Sequence, residues 1–194
     1  VNCGERVEPA ATMLGFEQEA WLERSLAASK ARWNLLAQQT LFAQLDLSMG
    51  DIQPFWTDAW DGYPAARKRL LASLQENRVS NPVIMGGDTH MFWVSETPLD
   101  PDNPHAPVIA TDICGTSITS RTLVPSWSLG ALLSENPHIK YANTQYRGYT
   151  RFTVTPKSLI ADLRGMETVE TRDARCATIA SFIVEDGRPG PRKL

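Results

Sequence analysis

The sequence predicts a mixed α/β protein built in layers, and three observations predict it. Helical patterns alternate with short apolar runs in the first half of the chain. Strand patterns separated by turns fill the second half. One apolar run, Val83-Ile84-Met85, is uninterrupted by polar residues, as suits a central strand covered on both faces.

Residues 1–13 are polar and irregular. A helical pattern starts at Gly15, with Thr12 as its N-cap candidate and Glu17 and Glu19 in the first turn, where the helix dipole favours acid. Phe16, Ala20, Leu22 and Leu26 recur at three- and four-residue spacing, and Trp21 widens that stripe. This helix is expected to end near Ser29. Trp33 to Ala37 reads as a strand in preference to a second short helix. Residues 46–63 read as a loop, broken by Gly50, Pro54 and Gly62; its aromatic residues Phe55, Trp56 and Trp60 suggest packing over a cleft. Pro64 suits the first position of a helix running through Arg67, Leu70, Leu71 and Leu74 to about Asn77.

Asn81-Pro82 breaks the chain before the Val83 strand. Residues 100–107, rich in Pro, Asp and Asn, predict an exposed loop, and Val108 to Ile113 another strand. From residue 139 onward four strands are expected, over 139–142, 149–155, 158–163 and 177–184, together forming an antiparallel meander. The tail from Asp186 has turn chemistry and little core.

A chain of 194 residues is long enough for one domain with a substantial core. Net charge is −3 with no basic tract, so nothing points to nucleic acid as a partner. No apolar run approaches the roughly 20 residues of a membrane-spanning helix. Cys3, Cys114 and Cys176 are too widely spaced for a zinc ribbon or a redox pair, and read as isolated core residues. The chain starts at Val1 with no signal-peptide pattern before the first helix, which implies processing or a piece of something longer.

The chemistry concentrates at the end of the Val83 strand, in Gly86-Gly87-Asp88-Thr89-His90. Ligands bind beyond the carboxyl ends of strands in open α/β sheets. The two glycines remove bulk and permit unusual backbone angles. If the stretch stays extended, Asp88 and His90 project the same way, as a carboxylate and an imidazole suited to a metal ion or to an acid–base pair. The competing reading is that Asp88 caps a turn and His90 is an ordinary histidine under the loop. Asp58, Trp60 and Asp61 are further substrate-site candidates, although both acids also suit turn formation, and Arg67 is expected to pair with Asp61. His138 follows Asn136-Pro137 and reads as a surface turn residue. Ser117 or Ser120 with His138 would make a serine hydrolase, but no nucleophile-elbow motif surrounds either serine.

A series of segments in fixed order carries a resemblance: MLGFEQEAWLERSLAASKARWNLLAQQ, DAWDGYPAARKRLLASL, NPVIMGGDTHMFW, GTSITS, NPHIKYANTQYRGYTRFTVTP and ASFIVEDGRPG. Together they resemble the C-terminal portion of the PhoD-type alkaline phosphatase family, within the metallophosphatase superfamily. The resemblance implies the C-terminal part of a layered α-β-β-α sandwich, with a mixed sheet followed by an antiparallel meander, and residues 1–194 as the C-terminal half of one metallophosphatase domain. It also implies iron and calcium as cofactors, and hydrolysis of phosphate monoesters or diesters by water activated at the metal centre. On the same basis Asp88 and His90 would be metal ligands, with His90 a catalytic residue, and the protein would be periplasmic or secreted. The resemblance also implies that the family's other metal ligands lie in an earlier half preceding Val1, and that Cys3 is not expected to be the family's metal-binding cysteine. The alternative is a catalytically inert fragment.

Overall fold

The structure, a computed structural model, describes residues 4–48 and 54–194. Cys3 and Gly50 lie outside the described residues. In chain order the elements are α1 (Phe16–Ala28), β1 (Asn34–Ala37), α2 (Pro64–Glu76), β2 (Pro82–Gly86), β3 (Phe92–Pro98), β4 (Val108–Cys114), α3 (Leu129–Glu135), β5 (Ile139–Asn143), β6 (Arg147–Val154), β7 (Ser158–Met166), β8 (Cys176–Glu185) and β9 (Arg188–Lys193).

They form two sheets. The first has the order β1-β2-β4-β3-β5, with β1, β2 and β4 parallel and β3 antiparallel to both of its neighbours. The second is the antiparallel meander β6-β7-β8-β9. Strand β2 shows why the layers stack as they do. Its Val83 belongs to the core shared with Leu159, Leu163 and Phe182 of the second sheet, while the next residue, Ile84, belongs to the core shared with Leu71 and Leu74 of α2. Alternate side chains of a strand face opposite ways, so an unbroken apolar run requires cover on both sides. Strand β7 shows the other regime: Leu159, Ala161 and Leu163 are fully buried on one face, and the residues between them are partly exposed. The mixed α/β sandwich and its antiparallel meander are therefore as the sequence predicts.

Several elements differ from expectation. Thr12 does not cap α1. Gly15 occupies that position with φ of 83°, and the Thr12 hydroxyl accepts its N–H at 2.9 Å and donates to Glu19. Phe16 and Trp21 are exposed rather than part of the buried stripe, which narrows to Leu26 with Leu22 at its margin. Strands β3 and β9 and helix α3 appear where none was expected. β5 joins the mixed sheet instead of the meander. The supposed tail is the edge strand β9. There Pro189 and Pro191 are tolerated because an edge strand has one side without ladder partners.

One irregular segment organises the helix-facing side of the mixed sheet. Residues 40–46 are buried throughout except for half-buried Gln44, so their backbone groups have little access to water and need protein partners. Gln38 brackets Thr40, accepting its N–H and donating to its carbonyl. Asp112 accepts the N–H groups of Phe42 and Ala43 at 3.0 and 2.9 Å. Asp61 accepts that of Leu45 at 2.9 Å, and Asn136 that of Asp46 at 2.8 Å. Arg67 donates to the Phe42 carbonyl and His138 Nε2 to that of Gln44. His138 is thus a buried scaffold residue, not a surface one, and burial lowers its pKa, favouring the neutral ring.

Candidate functional site

Strands β1, β2 and β4 are parallel, so their carboxyl ends meet at one edge of the sheet. The chain leaving each strand is tied to its neighbour: the Gly87 N–H donates to the Gln39 carbonyl at 3.0 Å, and the Gly115 N–H to the Gly86 carbonyl at 2.9 Å. This close approach explains Gly86. A Cβ there would lie 2.0 Å from the Thr40 carbonyl oxygen, so any larger residue must displace backbone.

The stretch from Gly87 to His90 is not extended. Asp88 has φ of 66° and His90 φ of 58°, both in the left-handed region that non-glycine residues seldom occupy. The Thr89 N–H donates to the Gly87 carbonyl at 2.7 Å, closing a three-residue γ-turn about Asp88. The expectation that extended alternation aligns Asp88 with His90 is therefore overturned. What presents these residues is a tight loop whose middle residue points inward. The Thr89 hydroxyl accepts the Trp93 indole N–H at 3.2 Å and lies 3.4 Å from Cys114 Sγ. Cys114 donates to the Gly87 carbonyl, and burial pushes its thiol pKa up, which keeps the proton for that bond. Asp88 is exposed and His90 half-buried, so neither is sealed in the core.

The His90 ring has a defined partner. Its Nδ1 lies 3.1 Å from the carbonyl oxygen of Arg121, which can only accept, so Nδ1 carries the proton. In the neutral ring Nε2 is then a free electron-pair donor, the arrangement found in metal-binding and proton-accepting histidines. Sequence reasoning missed Arg147, at the start of β6. It is buried, and its guanidinium donates to the carbonyls of His90, Ser120 and Thr144. Nothing in the sequence marks it, because its acceptors are main-chain groups.

The remaining candidates do not join this loop. Asp58 is exposed. Asp61 is buried in an ion pair with Arg67 at 2.5 Å, as expected for that pair, and its other oxygen holds the residue 40–46 segment. Trp60 is buried between α2 and Phe42, its ring centroid 4.8 Å from that of Phe42, so it packs in the core rather than over a cleft at this edge. Its indole N–H nevertheless reaches Gln38 at 3.0 Å, behind the same strand ends. Ser117 donates to the Ser120 carbonyl, while His138 bonds Gln44 near the start of β5, at the opposite end of β3, so no serine–histidine pair forms.

As a metal site the arrangement is partial. Among the described residues no group of three or more His, Cys, Asp or Glu side chains converges to hold a metal ion. Asp88 and His90 offer one carboxylate and one imidazole nitrogen, donors that fit part of a coordination sphere. Beside the loop lies an open cavity of about 360 Å³, lined by Arg121, Thr122, Gln145 and Arg147 among others. Another, of about 420 Å³, lies between α1 and β1 and reaches Gln38 and Gln39 at the end of β1.

Comparison with known proteins agrees with this architecture. The family profile described as PhoD-like phosphatase matches residues 1–163. Alkaline phosphatase D of Bacillus subtilis (strain 168) is 38% identical over 192 residues, which cover 98% of this chain and 33% of the relative. A solved structure described as the structure of PhoD superposes with a TM-score of 0.89 at 34% identity, covering 100% of this chain and 37% of that one. The chain thus spans about a third of the length of the curated relative it matches.

Proposed function

The chain belongs to the PhoD-like phosphatase family, and from that premise we propose that it supplies part of the active site of a phosphoric ester hydrolase acting on monoesters or diesters. We read residues 1–194 as the C-terminal half of the catalytic domain, and the complete protein as exported to the periplasm or secreted. The observation that carries the reading is the His90 ring on the loop after β2, with Nδ1 bound to the Arg121 carbonyl so that Nε2 is the ring nitrogen left to donate an electron pair.

Asp88 and His90 would hold the metal, the carboxylate suiting calcium or iron and the imidazole suiting iron. When bound, such ions lower the pKa of water and neutralise charge on phosphoryl oxygens. The chain's own residues contribute placement. The γ-turn holds Asp88 at the surface, and the Arg121 carbonyl fixes which ring nitrogen of His90 is available. Gly86 keeps the β1 and β2 ends close enough for the loop to stand beyond both.

Replacing His90 with Ala in the complete protein should lower metal content and cut phosphatase turnover by roughly 100-fold. Unchanged values of both would remove His90 from the mechanism. A second reading, an inert fragment, has its own support, since among the described residues no group of three or more His, Cys, Asp or Glu side chains converges. Assaying the 194-residue chain with iron and calcium supplied separates the two, because sustained turnover excludes inertness.

A further inference from the structure

We propose that Arg147 is the positioning residue for His90. The inference rests on the reading of His90 as a functional imidazole, and names what aims it. The Arg147 guanidinium holds His90 from two directions. Directly, it donates to the carbonyl of His90 itself, whose backbone stands in the left-handed region with φ of 58°. Indirectly, it donates to the Ser120 carbonyl at 3.0 Å and reaches Ser117 Oγ at 3.5 Å, bracing the loop whose next residue, Arg121, accepts the His90 Nδ1 proton. The Gly148 N–H adds a bond to the Ser117 carbonyl at 3.0 Å, so both anchors of this loop leave from the start of β6. A planar fork of five donors suits several carbonyls converging from different segments, whereas an ammonium lacks that fixed geometry. Arg147 also donates to the Thr144 carbonyl, which fixes its own stem. Its partners among the described residues are main-chain carbonyls and a serine hydroxyl, so the proposed role is exerted through His90.

The chain has three histidines, which makes the tautomers directly readable by long-range ¹H–¹⁵N correlation on the metal-free protein. His90 should appear with its proton on Nδ1, and His138, which donates from Nε2 to Gln44, should appear as the opposite form and serve as an internal reference. In Arg147→Lys and Arg147→Met, His90 should pass to an averaged signal weighted toward Nε2–H, the form a free imidazole prefers, with His138 unchanged. A His90 that keeps a pure Nδ1–H signal in either folded variant overturns the proposal. So does a wild-type His90 that is already averaged. Should both variants fail to fold, the wild-type Arg147 guanidinium decides: separate, slowly exchanging Nη signals support a pinned fork, and one averaged signal refutes it. In the complete protein, Arg147→Lys should weaken metal binding about 10- to 100-fold, with turnover partly restored by excess metal. The tautomer readout involves no phosphate ester, so its failure is distinct from the failure of the hydrolase reading, which the His90→Ala assay tests.

Discussion

Asp112→Asn should remove a pH dependence from the stability of the fold. Asp112 lies on β4, fully buried, with Oδ2 accepting the N–H groups of Phe42 and Ala43. Its Oδ1 has no partner among the described residues. Burial raises its pKa from 3.8 to about 7, against the opposing pull of the two N–H groups and the Arg67 charge. Between those values the folded protein keeps a proton that the unfolded chain has released. Stability therefore falls as pH rises through the window and levels off above it. At about 1.4 kcal/mol for each pKa unit, the full effect is about 4 kcal/mol, and about 3 kcal/mol of it lies between pH 4.5 and 8. Asn keeps an acceptor for both N–H groups but binds no such proton. Urea unfolding of wild type and variant at pH 4.5 and 8 should show their difference shifting toward the variant by about 3 kcal/mol. A difference constant to within about 0.5 kcal/mol would mean that Asp112 is ionised at both pH values, and would refute the reading that burial outweighs its two N–H bonds.

Two further predictions concern the scaffold. Gly86→Ala places a Cβ 2.0 Å from the Thr40 carbonyl oxygen and should cost about 3 kcal/mol or more, whereas Gly87→Ala, whose Cβ would sit 3.5 Å from the Gln39 carbonyl, should change stability by less than about 1 kcal/mol; denaturation midpoints of the pair check this contrast. Asp61→Ala strands the buried Arg67 charge and the Leu45 N–H, and should cost about 3–5 kcal/mol, part of which the double variant with Arg67→Met recovers; a double-mutant cycle measures the recovery.

The parts of the fold legible in the sequence are those where one pattern has one cause. The Val83 run is continuous because β2 is covered on both faces, and β7 alternates because only one face is covered. Strand β3 escaped notice because it mixes these regimes. Its Phe92, Trp93 and Val94 look like a buried strand, but Ser95, Glu96 and Thr97 follow, and Ser95 and Thr97 are buried all the same. Its register also shifts twice, against β4 and against β5, and a local pattern carries no sign of that. Strand β9 is the opposite case. Arg-Pro-Gly-Pro-Arg-Lys is written in turn residues, and it becomes a strand because β8 offers an edge and because the Gly190 N–H reaches Thr111 of β4 at 3.1 Å. The partners of β3 lie far along the chain, whereas β9 pairs with its immediate neighbour β8 but carries no strand pattern of its own, so in both cases context outweighs local preference.

The candidate site divides in the same way. The residue types Asp88 and His90 are legible in the motif, but the geometry that presents them is not. The two glycines suggested that the unusual backbone angles belong to Gly86 and Gly87. Neither has positive φ; the left-handed angles fall on Asp88 and His90. Gly86 is there for space, since Thr40 crosses where its side chain would be. Left-handed backbone at a non-glycine residue costs on the order of 1–3 kcal/mol, and it persists only where surrounding contacts impose it. Those contacts are the Thr89 hydroxyl under Trp93, the Cys114 thiol on the Gly87 carbonyl and the Arg147 fork on the His90 carbonyl. Glycine would relieve the strain at either position at once, and the chain instead holds a carboxylate and an imidazole there. Arg78 and Asn81 also stand in the left-handed region, outside this loop, so backbone strain alone does not separate a functional pair from a turn. The separation rests on metal content and turnover in His90→Ala of the complete protein, where a pure turn former would leave both unchanged.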